Sequence, residues 1–152
     1  MTTVAVWSII AEGNRTYMEN VWTAYVDGAS RGNPGPAGIG VAIQNSEGLT
    51  VAEIGEPLGR TTNNVAEYKA MIRALEEARS LGCNRLQIYT DSELMARQIN
   101  GLYAVKSRHL YPLYQRVRAL MAEFSWVNVA HIYRESNYLA DHLSNMGADQ
   151  VK

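Results

Sequence analysis

Along residues 22–146 the apolar positions follow first a strand-like and then a helical period. Trp22 to Asp27 is a short apolar run that stops at Gly28, which predicts a first strand. The glycine and proline cluster from Gly28 to Gly38 predicts a turn, and Ile39 to Gln44 a second strand. Ser46, Glu47 and Gly48 then reverse the chain into a third strand, Leu49 to Leu58. Strands joined by turns this short pair as antiparallel neighbours. After them Val65, Tyr68, Ile72, Leu75, Ala78 and Leu81 recur at helical spacing, with Thr62 or Asn63 as cap and Gly82 as stop. Arg85 to Thr90 alternates as a fourth strand, and Ser92 caps a short helix ending near Asn100 and Gly101. A longer helix is expected over 110–124, with Pro112 tolerated in its first turn. Trp126 to Tyr133 alternates as a fifth strand, and Ser136 is the expected cap of a last helix through about Met146.

A hairpin meander followed by strand–helix alternation predicts an α/β fold. The expected form is a mixed five-stranded sheet, a three-stranded antiparallel meander plus two parallel strands, flanked by helices. The crossover helix makes the fourth strand return parallel to the first and beside it. Asp27 and Asp91 then emerge from adjacent carboxyl ends, where open sheets place their sites. Glu67 falls in the second turn of the crossover helix and Asp141 in the second turn of the last. Both helices can aim a carboxylate at the same crevice. One Asp at a strand end is usually a cap or a solvated charge; four such sites are hard to explain that way. Four carboxylates brought together must either take up protons or be neutralised by cations. Hard oxygen ligands suit Mg²⁺ or Mn²⁺, and two such ions would support phosphodiester hydrolysis.

Composition changes this picture little. The 152 residues are enough for one domain with a full core, and the formal net charge of −1 announces no polyanionic partner. The charge is uneven, however. Between Leu94 and Ala122 there is no acidic residue, while Arg97, Lys106, Arg108, Arg116 and Arg118 are interleaved with Tyr103, Tyr111 and Tyr114. Such a segment suits a phosphate backbone, or equally a solvated helix face. Cys83 is the lone cysteine, so a reducing, cytoplasmic setting is expected. Val4 to Ile10 is too short to span a bilayer and lacks the flanks of a secretory signal. No membrane association is expected, and nothing demands more than a monomer. Residues 1–21 form an extension of unreadable role, in which VAVWSII could be an extra strand, a docked arm or a frayed terminus.

Taken in order, DGASRGNPGPAG, TTNNVAEY, TDS and NYLADHL resemble ribonuclease H of type 1, which nicks the RNA strand of RNA–DNA hybrids. The stretch NGLYAVKSRHLYPLYQRV resembles its archaeal-like branch, which has one continuous segment where other members insert a basic helix and loop. The resemblance implies a ribonuclease H domain over 22–147, followed by a tail of residues 148–152. It implies an RNA–DNA hybrid as substrate, two Mg²⁺ or Mn²⁺ per site, and products with a 5′-phosphate and a 3′-hydroxyl. Asp27 would bridge both metals, Glu67 and Asp91 would hold the second, and Asp141 the first beside the attacking water. Gly28, Asn33, Asn64 and Glu93 match positions that meet the minor groove, and Ser30 and Arg31 positions near DNA-strand phosphates. At the place of Glu93 many relatives carry Gln, whose amide can donate to a base edge as a carboxylate cannot. Many members also have a mobile histidine before the last helix. His131 sits ten residues before Asp141, but it falls in the alternating fifth strand, so Arg134 is the better candidate for touching the scissile phosphate. The rivals are a resolvase or integrase core, a 3′–5′ exonuclease, and a degenerate module that grips hybrid without cutting. The glycine-rich hairpin speaks against the first. Gly28 and Ala29, where an Asp-x-Glu would be needed, speak against the second, and the full carboxylate set against the third.

Overall fold

The computed structural model describes residues 20–152, and the segment VAVWSII lies outside the described residues. Strands β1 (Val21–Ser30), β2 (Gly35–Gln44) and β3 (Thr50–Thr61) form the expected antiparallel meander. Helix α1 (Asn63–Ser80) crosses over to β4 (Arg85–Thr90), which lies parallel to β1. Helices α2 (Glu93–Ile99) and α3 (Tyr111–Met121) lead to β5 (Trp126–His131), parallel to β4. A single 3-10 turn, Arg134–Ser136, precedes α4 (Tyr138–Asp149). The sheet runs β3-β2-β1-β4-β5, the mixed five-stranded order the pattern predicts.

The caps explain several boundaries. Thr62 Oγ1 accepts from Val65 N at 3.3 Å, and Ser92 Oγ accepts from Met95 N at 3.2 Å, so each starts its helix. Gly82 and Gly101 follow the ends of α1 and α2 at φ +94° and +79°, a region that glycine enters without cost.

Several expected boundaries need correction. The glycine cluster is mostly strand: Gly28, Ala29 and Ser30 pair with Ile39, Gly38 and Ala37, so only residues 31–34 turn. The last helix is not capped by Ser136, which lies in the 3-10 turn. Asn137 holds the cap position with its side chain turned inward, donating from Nδ2 to Val26 O at 2.8 Å. That helix also runs on to Asp149, so its final turn takes in Ala148, which is buried.

One face of the sheet carries the main core. Ala24, Val26, Val41, Ile43, Leu86, Ile88 and Val129 meet Tyr68, Met71 and Leu75 of α1, with Ile99, Val117 and Leu120 closing it. Each large side chain so buried contributes about 1.5–3 kcal/mol. The opposite face of the meander takes α4 at backbone contact. A Cβ on Gly40 would lie 2.0 Å from Ala140 O, so only glycine lets the helix settle there. That contact places Asp141 at the rim of the sheet. Among the described residues no helix is long and apolar enough to cross a membrane.

Candidate active site

Pairing register brings the first two carboxylates together. Val26 and Thr90 form the last rung between β1 and β4, and Asp27 and Asp91 are the residues that follow. Asp27 is not at a strand end, since β1 continues to Ser30 against β2; it sits where the parallel ladder stops. Glu67 arrives from the second turn of α1 because that helix touches β1 at Gly28. A Cβ there would meet Ala66 C at 2.2 Å, and the Gly28 amide donates to Glu67 Oε1. Asp27, Glu67 and Asp91 each offer an oxygen, and the three atoms lie within 4.8 Å of one another. Asp141 stands in the first turn of α4 rather than the second. It is outside that trio but lines the same open cavity of about 430 Å³.

Electrostatics follow from this crowding. Burial, and then the charge of Asp91, push the Asp27 carboxyl from its ordinary 3.8 up to about 7. Ser144 Oγ opposes the rise by donating to Asp27 Oδ2 at 2.7 Å. Burial also raises Glu67 well above the usual carboxylate range, helped by the charge of Asp27 and opposed by the Gly28 amide. Arg134 Nη2 donates to Asp141 Oδ1 at 3.3 Å, and that charge raises the guanidinium pKa further. A set made only of carboxylate oxygens, two of them buried and held above their normal pKa, fits a hard divalent cation.

A family model described as reverse transcriptase-like matches residues 25–147. Ribonuclease HI of Halobacterium salinarum is 41% identical over 128 residues, covering 84% of this chain and 64% of that protein, so the chain spans less than two thirds of it. Ribonuclease H of Halorhodospira halophila is 36% identical over 151 residues, covering 90% of this chain and 98% of the relative. The chain belongs to the ribonuclease H family. Its structure also superposes on LC11-RNase H1, a protein isolated from compost by a metagenomic approach and solved in complex with an RNA/DNA hybrid. The TM-score is 0.79 at 41% identity, over 85% of this chain and 97% of the other. The five-stranded sheet with its flanking helices is thus the ribonuclease H fold.

Within this ribonuclease H fold the other candidates divide between three hollows. Gly28, Ser30, Arg31 and Arg134 line the carboxylate cavity. Arg31 is braced there by Asp149 Oδ1 at 2.7 Å and Asn145 Oδ1 at 3.0 Å. Asn33 and Asn64 instead line a neighbouring hollow with Arg60, Thr62, Ser107 and His109, and it is Asn63 that faces the carboxylates. Glu93 lies in a third hollow, bound to Arg97 at 2.9 Å, together with His131, the exposed last residue of β5. The basic segment is partly spoken for. Arg116 pairs with Glu76 at 3.2 Å and Arg118 donates to Ile99 O at 3.1 Å. Sequence reasoning missed Ser144 and Asn145, whose Nδ2 donates to Asp141 O at 2.8 Å. Their spacing of three and four from Asp141 on one helix was the available signal.

Proposed function

We propose that this chain is an endoribonuclease that hydrolyses the RNA strand of RNA–DNA hybrids with two divalent ions. The observation that carries the reading is the Asp27–Glu67–Asp91 trio within 4.8 Å, facing the same cavity as Asp141. Asp27 would bridge both ions, Glu67 and Asp91 would hold the second, and Asp141 the first. Mg²⁺ or Mn²⁺ bound there would neutralise the carboxylates and stabilise the charge that develops on the cleaved phosphodiester.

The chain's own residues do the remaining work. Gly28 N–H and Ser144 Oγ each hold one oxygen in place, of Glu67 and of Asp27 respectively. Asp141, less buried than Asp27 and paired with Arg134, is the carboxylate that faces the attacking water. Arg134 and the braced Arg31 offer cationic donors to phosphates on either side of the carboxylates. Ser30, beside Arg31, lies with it near the DNA-strand phosphates, and Asn63 adds a short polar group to the cavity wall, where a 2′-hydroxyl would mark RNA. Asn33 and Asn64 extend the track along the adjoining hollow. The products are a 5′-phosphate and a 3′-hydroxyl. A reducing, cytoplasmic compartment belongs to the same proposal, which the single, buried Cys83 fits, and so does a monomer.

Cleavage of an end-labelled hybrid in Mg²⁺ or Mn²⁺, comparing wild type with Asp27→Asn, tests the reading. Single-stranded RNA, duplex DNA and duplex RNA run alongside. Metal-dependent cuts in the RNA strand of the hybrid, lost in the variant, are expected. Tight hybrid binding without cleavage in either metal would leave a binding module instead.

A further inference from the structure

Next to the carboxylate cavity along the chain is an open hollow of about 420 Å³ lined by Glu93, Arg97, Asn100, Leu102, His131 and Tyr133. Chain connectivity joins the two. Ser92 and Arg134 line the carboxylate cavity, while their immediate neighbours Glu93 and Tyr133 line the hollow. A strand that passes Ser92 and Arg134 is therefore led toward it. On the function proposed above, on which this inference rests, that strand is the RNA being cut.

The chemistry of the hollow suits a nucleobase better than a phosphate. Its guanidinium, Arg97, is already paired with Glu93 at 2.9 Å and lies 5.4 Å from the centroid of the Tyr103 ring. The Glu93 carboxylate itself repels a phosphodiester. Tyr133 is 77% exposed, the most exposed large hydrophobic side chain among the described residues. Its ring meets that of His131 in a T-shaped contact, at 5.9 Å and 74° between planes, and still lines the hollow while largely exposed. Leu102 and Tyr103 add apolar surface that nothing in the core requires. A braced aromatic ring beside a strand track is a stacking platform, and stacking accepts any base.

We propose that this hollow is a stacking subsite for an unpaired base of the RNA strand, filled where the hybrid gives way to single-stranded RNA. The enzyme would then cut preferentially near such junctions. Glu93, which only accepts hydrogen bonds, favours bases carrying an exocyclic amine, so adenine and cytosine tails fill the subsite better than uracil.

The test compares kcat/KM and cut positions on a blunt hybrid and on the same hybrid carrying an RNA tail or a DNA tail. Wild type should favour the RNA-tailed hybrid by about tenfold, with cuts gathered near the junction. Tyr133→Ala should lose that preference while cutting the blunt hybrid as wild type does, and Tyr133→Phe should keep it. Equal rates on tailed and blunt hybrids, an equal advantage from a DNA tail, or a preference that survives Tyr133→Ala would each overturn the inference. If no hybrid is cut at all, the proposed function fails on its own. The subsite is then read by fluorescence anisotropy with the same tailed hybrids, where a Tyr133-dependent gain in affinity for the RNA tail is still expected and its absence overturns the inference.

Discussion

Asp27→Asn should stabilise the metal-free protein while ending its activity. Asp27 is 6% exposed, and its carboxyl is pushed from 3.8 to about 7, chiefly by burial and then by Asp91. At about 1.4 kcal/mol per pH unit, ionising it inside the fold costs on the order of 4 kcal/mol relative to the unfolded chain. The sign follows from the raised pKa. Below about pH 3.8 both states hold the proton and no cost arises; as pH rises through about 7 the folded state ionises and the whole cost is present. Asparagine keeps the shape, still accepts from Ser144, and carries no charge. It also removes one cause of the raised pKa of Glu67.

The assay is urea unfolding in EDTA between pH 4 and 8. At pH 8 the variant should be more stable by about 2–4 kcal/mol, or very roughly 10 °C in Tm, and the gap should close toward pH 4. Added Mg²⁺ should lift the wild type toward the variant and leave the variant unmoved, because only a protein that binds the ion is stabilised by it. A gap that does not change with pH, or a variant less stable than wild type at pH 8, would refute the reasoning.

Two other substitutions probe the scaffold of the site. Gly28→Ala should cost about 3 kcal/mol or more in chemical denaturation, because its Cβ would sit 2.2 Å from the backbone of Ala66, where no rotamer can relieve it. Ser144→Ala should fold, raise the Asp27 pKa further and increase the Mg²⁺ needed for half-saturation by about tenfold, the value of a hydrogen bond to a charged group. Calorimetric titration with Mg²⁺ and an alkaline shift of the pH–rate profile would check it.

The parts of the fold set by local chemistry were legible. β4 was readable to the residue because Arg85 to Thr90 alternates and is bounded by Asn84 and Asp91. The starts of α1 and α2 were readable because Thr62 and Ser92 cap them. What was misread depends on distant partners. Gly28 and Gly38 look like turn residues, yet they lie in paired strands and are glycine because α1 and α4 press against them. Asn137 rather than Ser136 precedes α4, since the Val26 carbonyl, far away in sequence, claims its amide. That Asn63 lines the carboxylate cavity while Asn64 lines the neighbouring hollow was not readable either, because the phase of α1 is set by its contact with β1. Ser144 carries no motif of its own and acquires its role only when α4 lies beside Asp27.

The same close packing explains why the carboxylates stay together. Two buried acids beside a third would normally swing apart, since side-chain rotation is cheap beside the repulsion of like charges. Here α1 meets β1 at Gly28, and α4 meets β2 and β3 at Gly38, Gly40 and Gly55, each at backbone contact. Backbone contacts cannot yield by changing rotamer, and a packed interior resists compression. The Gly28 amide and the Ser144 hydroxyl further fix one oxygen each of Glu67 and Asp27. Repulsion can then be relieved only by taking up protons or by binding cations. Near neutral pH Asp27 is only about half protonated and loses the rest of its protons as pH rises, so a divalent ion gains the energy that the fold withholds from the crowded carboxylates. It follows that loosening Gly28 should weaken Mg²⁺ binding even in molecules that remain folded, because a carboxylate free to retreat no longer needs the ion.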